Sequence, residues 1–228
     1  MKGMDDEKSV LRWGGLAGML GGIVFIIMMI TLLVLVPDAS AEPEDLLMNF
    51  PDNRAVIYLG ESLYLVTLVL SVTLFLALYR ALRGTSLAPA LFGTGIAFLG
   101  FAVLAAGALP NVAFAPIADL YHASGATAGE QTTLVPLWQA TQGIFNETDT
   151  VGFLLLTIGF IVLGVAMLQA PAFGKGFGWV SVVIGVVGIV GIYAVGLDSI
   201  SFVPVVILTS VILPLVFGWK VYSLSRTS

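Results

Sequence analysis

Charged residues, Glu61 and Lys220 apart, are confined to a few intervals, and the apolar blocks between them are far longer than the core-facing stripe of a soluble helix. Six blocks stand out, at about 14–36, 57–79, 90–109, 150–169, 177–196 and 202–221. A helix rises about 1.5 Å per residue, so a hydrocarbon core of about 30 Å takes roughly 20 apolar residues. Membrane barrel strands would read instead as alternating segments of roughly ten residues. Lipid offers backbone groups no partner, so each crossing has to bond internally, as a helix does. The pattern predicts an all-α polytopic membrane protein: a six-transmembrane-helix bundle forming one membrane domain over residues 1–228.

The intervals are unequal. Two are short, roughly 80–89 and 170–176, and two are long, 37–54 and 110–148. The longest reads PNVAFAPIADLYHASGATAGEQTTLVPLWQATQGIFNET and carries no Lys or Arg. A structureless loop of that length is uncommon in a compact fold. Leu134, Leu137, Trp138, Ile144 and Phe145 fall partly at helical spacing. The expectation is two short interfacial helices, split near Gly125 and bent at Pro136, with EPEDLLMNF in the first long interval repeating the theme. Together they would cap the outer face. Asn146-Glu147-Thr148 reads as the polar entry to the fourth span, and Asp149 as an acid favoured near that span's N-terminus.

Charge orients the bundle. Lys2, Lys8, Arg12, Arg80, Arg83, Lys175, Lys220 and Arg226 all fall on one side, and only Arg54 on the other. The acids Asp38, Glu42, Glu44, Asp45, Asp52, Asp119, Glu130, Glu147, Asp149 and Asp198 lie opposite. By the positive-inside rule both termini are cytoplasmic and the protein is multi-pass in the cell membrane. Trp13, Trp179 and Trp219 sit at the cytoplasmic ends of their spans, as interfacial anchors do. Lys2, Lys8 and Arg12 followed by an apolar run and Ala39-Ser40-Ala41 imitate a signal peptide. A signal's apolar region is roughly 7–15 residues, however, so the first block is read as an uncleaved helix.

Composition narrows the chemistry. The chain is 58% hydrophobic and 10% charged, against roughly 25% charged in soluble domains, and its mean hydropathy is +1.04. With no Cys, disulfides, thiolate catalysis, iron–sulfur clusters and cysteine zinc sites are excluded. With His122 as the one histidine, the chain has no multi-histidine metal site. Neither a cofactor, a metal nor nucleic acid is expected. GKGFG at 174–178 imitates a phosphate loop but follows a membrane span, not a strand. Gly14, Gly18 and Gly22, and again Gly185, Gly188 and Gly191, form small-residue stripes that let helices approach closely. They suit packing within the bundle or, alternatively, a homodimer face. Pro204 and Pro214 are expected to bend the sixth span.

One carboxylate breaks the apolar run AVIYLGESLYLV. Glu61 lies near the outer edge of the second span, and an intramembrane ionisable group is by default a functional hypothesis. Arg54, two turns earlier, shares its face, and Tyr58 and Tyr64 at i−3 and i+3 are placed to donate hydrogen bonds to it. An outward pocket is expected with Glu61 on its wall and Asp119, His122, Gln139 and Gln142 above it.

LRWGGLAGMLGGIVF at 11–25, FLALYRALRG at 75–84 and GFIVLGVAMLQAPAFGKGFGWVSVVIGVVGIVG at 159–191 resemble an uncharacterised family of six-span prokaryotic membrane proteins, a domain of unknown function. The resemblance implies a six-helix bundle and brings no reaction and no catalytic residues. No nucleophile–histidine–acid pattern and no zinc-protease motif is present, so no enzyme is expected. Two functions remain: an accessory or interaction subunit with a membrane-protein partner, the leading expectation, and an outward-facing binder or sensor of a small molecule or lipid. Transport of a small solute ranks below both. The binder requires a cavity running from the outer face past Glu61 into the bundle.

Overall fold

The structure is a computed structural model that describes residues 2–35, 42–195 and 203–227. Asp38, Ala39, Ser40, Ala41 and Asp198 lie outside the described residues. Helix α1 is Lys2–Leu35, α2 Pro43–Leu82, α3 Leu87–Gly107, α4 Phe114–Tyr121, α5 Ala128–Gln169, α6 Gly174–Val195, α7 Val203–Ile207 and α8 Leu213–Thr227. A 3₁₀ turn, Leu109–Ala113, joins α3 to α4. A π-helical turn, Leu208–Ile212, joins α7 to α8. Six helical stretches are long and apolar enough to cross a membrane, and the protein is an all-α polytopic bundle.

The helices form two groups of three. Helix α1 packs against α2 and α8, and α5 packs against α3 and α6. Helix α2 joins the groups by touching α3 and α5. At that junction Phe75 sets its ring 5.2 Å from Phe101 and 5.5 Å from Phe160. Elsewhere glycine makes the contact. A Cβ on Gly15 would lie 2.6 Å from the Gly218 carbonyl of α8, and one on Gly100 would lie 2.9 Å from the Gly152 carbonyl of α5. Of the predicted stripes, Gly14 and Gly18 meet α2, Gly22 meets α8, and Gly185 and Gly188 meet α5. These close approaches are made within the chain. They bring backbones together where lipid gives no hydrophobic drive for association.

The long intervals are not as the sequence suggested. Helix α2 runs unbroken for 40 residues and α5 for 42, about 60 Å each and twice a hydrocarbon thickness. Residues 43–54 are therefore the first turns of α2, not a separate interfacial segment. The expected second lid helix is the first half of α5, which passes Pro136 without ending. The split near Gly125 does occur: its φ is +103°, a conformation that suits glycine. Thr127 then starts α5 through a capping box, its hydroxyl accepting from the Glu130 amide while the Glu130 carboxylate accepts from the Thr127 amide at 2.8 Å.

Between the two projecting helix ends lies α4, and the three share a second core of Leu47, Phe50, Ala115, Ile117, Ala118, Tyr121 and Trp138. The Trp138 ring stacks on Phe114 at 4.2 Å and meets Phe50 edge-on at 5.5 Å. The cap is thus a packed subassembly, at the end of the bundle opposite the described turns 83–86 and 170–173. In the last span the π turn sits directly before Pro214, and the Leu213 amide donates to the Leu208 carbonyl. That wider turn takes up the amide Pro214 lacks and the room its ring needs.

Candidate functional site

Where the two groups meet beneath the cap, α1, α2, α5 and α7 leave a cavity of about 230 Å³, partly open to the surroundings. Phe25, Met28 and Leu32 line it from α1, Gly60, Glu61 and Tyr64 from α2, Phe145, Asn146, Asp149 and Phe153 from α5, and Val206 from α7. The wall combines two carboxylates with four aromatic rings and includes no Lys or Arg. Deeper in the bundle a void of about 40 Å³ shares Phe25, Tyr64 and Phe153 with it. Thr67, Ser71, Thr209 and Ser210 give that void hydroxyls. The last two stand on the π turn, so the irregular backbone before Pro214 faces the void.

Each carboxylate has one neutral donor. Asn111 Nδ2 donates to Glu61 Oε1 at 2.8 Å, and the Tyr64 hydroxyl donates to Asp149 Oδ1 at 3.4 Å. Asn111 stands in the 3₁₀ turn after α3, is only 7% exposed, and its Oδ1 has no hydrogen-bond partner. Asp149 is not at a helix start. Because α5 begins at Ala128, Asp149 lies deep in that helix, and Asn146 one turn earlier lines the same cavity.

Of the residues expected around the pocket, Glu61 and Tyr64 line the cavity. Arg54 does not reach Glu61. It forms an ion pair with Asp119 of α4 and lies 5.6 Å from the Phe50 ring centre. Tyr58 is 44% exposed and does not line the cavity, and Tyr64 gives its hydroxyl to Asp149, not to Glu61. His122 belongs to the cap: its Nε2 lies 3.2 Å from the Leu47 carbonyl. Gln139 is exposed and Gln142 half-buried, both outside the cavity wall. Asn111, Phe145, Asn146 and Asp149 were not anticipated. Their signal was faint: Phe145, Asn146 and Asp149 fall at i, i+1 and i+4, one helix face, which becomes meaningful only once α5 is known to continue through them.

What the site can do follows from this wall. It can hold a small molecule by charge, aromatic contact and apolar burial, with no nucleophile–base pair among the lining residues. Among the described residues no group of three or more His, Asp or Glu side chains is placed to hold a metal ion.

Residues 16–224 match the family described as Domain of unknown function (DUF4386), and the chain belongs to that family. No curated protein and no solved structure matches the chain.

Proposed function

We propose that this protein is a multi-pass protein of the cell membrane, with both termini in the cytoplasm, that binds a small molecule in the cavity between its two helix groups. The orientation rests on charge: eight of the nine basic residues lie at the end of the bundle away from the cap. The capped end and its cavity then face outward. Trp13, Trp179 and Trp219, all well exposed, stand at the inner boundary as anchors. Large apolar side chains such as Leu33, Val69 and Phe92 point out of the bundle, where lipid would solvate them.

The observation that carries the reading is the cavity itself, roughly 230 Å³ with Glu61 and Asp149 on its wall and a second void beneath it. Drug-sized ligands occupy roughly 300–1,000 Å³, so the occupant is smaller. Binding without chemical change is favoured because the one imidazole is engaged in the cap. An accessory subunit needs no such cavity. It needs a partner.

Native mass spectrometry of the full chain, gently extracted from its own membrane, separates the two. A small molecule retained by the wild type and lost in Asp149→Asn is the expected result. A stoichiometric partner protein with no small molecule would replace the binding reading with the accessory one.

A further inference from the structure

The cavity wall carries two carboxyl groups, and among the described residues no Lys or Arg lines it. Glu61 and Asp149 face one space, yet each is met only by a neutral donor, Asn111 or Tyr64. The basic residue at that end of the bundle, Arg54, is committed to Asp119 and Phe50. A carboxylate partly shielded from water is held in its ionised form best by a positive charge beside it. Asn111, which donates to Glu61, is itself buried, and its Oδ1 has no partner. Four rings, Phe25, Tyr64, Phe145 and Phe153, complete the wall, and aromatic faces attract cations.

We infer that the ligand is a small organic cation, an ammonium group on an apolar aryl or alkyl body, with its nitrogen between Glu61 and Asp149 and its body against the rings. This rests on the binding reading above and names its ligand class. An anion would meet two like charges. A neutral molecule of the same shape would leave both carboxylates unbalanced. The cavity of about 230 Å³ and the 40 Å³ void that shares Tyr64 with it limit the body to a compact one.

Titration calorimetry of the purified full chain with three probes of like shape tests this: 2-phenylethylammonium, 2-phenylethanol and 3-phenylpropanoate. The ammonium should bind at least about tenfold tighter than the alcohol, as expected for charge-assisted hydrogen bonds in a desolvated site. The propanoate should be the weakest. Glu61→Gln and Asp149→Asn should each weaken the ammonium about tenfold and leave the alcohol unchanged. Glu147→Gln, which removes an exposed acid two residues from Asp149 and off the cavity wall, should change nothing. Equal binding of all three probes, preference for the alcohol or the propanoate, or an equal loss in Glu147→Gln overturns the cation assignment. The binding reading survives those outcomes if native mass spectrometry still finds a retained molecule. Should the variants fold poorly, the charge order measured on the wild type decides alone.

Discussion

The single imidazole of the chain stands over a carbonyl that a proline has released. Pro51 lies inside α2 and has no amide hydrogen, so the Leu47 carbonyl one turn back loses its helical donor. His122, arriving from the end of α4, places Nε2 3.2 Å from that oxygen, and as the Nε2–H tautomer it donates the missing bond. Replacing His122 by Leu should lower stability by about 1 kcal/mol. In a Pro51→Ala background, where the helix supplies its own donor, the same change should cost much less. Thermal unfolding of the four proteins measures this as a double-mutant cycle, and an equal loss in both backgrounds would contradict it. None of this pairing is visible along the chain, because Pro51 and His122 are brought together only by folding. Glu61 is the converse case. Its oddness was legible as a lone charge in an apolar run, while its actual partner, Asn111, lies 50 positions away and was not.

Helices were easier to find than their ends. Six apolar blocks marked six spans because only a helix crosses lipid unaided, but hydropathy stops counting where a helix leaves the apolar layer. Helices α2 and α5 go on well beyond it, with polar residues outward and Leu47, Phe50 and Trp138 inward. Pro51 and Pro136 each lack the helical amide, yet both helices pass through them. The glycine stripes were legible as close-packing faces, and the structure distributes them between helix pairs. That distribution makes the glycines unequal. At Gly15 a Cβ would meet the Gly218 carbonyl and the Tyr222 amide nitrogen, both at 2.6 Å, so α1 and α8 would have to move apart. At Gly95 a Cβ meets nothing within 4 Å. Gly15→Ala should therefore destabilise by about 1–3 kcal/mol, as overpacking does. Gly95→Ala should be neutral or stabilising by up to about 1 kcal/mol, since alanine is the better helix former. Melting temperatures of the two variants check the contrast, and equal shifts would show that α1 and α8 are not packed as described.

Seen whole, the molecule is two groups of three helices, joined through α2 and tied at one end by a packed cap, with a cavity under that cap. Cavity and cap lie at one end, and eight of the nine basic residues at the other. In the proposed orientation this cavity opens to the outer aqueous side. The absence of cysteine makes this directly testable with one introduced thiol. Asn146→Cys places that thiol at a half-buried position on the cavity wall, and Gly95→Cys places one on the exposed side of α3, which the proposed membrane placement sets against lipid. Intact cells would be treated with a small, positively charged, membrane-impermeant thiosulfonate reagent. Asn146→Cys should be modified from outside and Gly95→Cys should not. Modification of Asn146→Cys only after the cytoplasmic side is exposed, or from neither side, would contradict it.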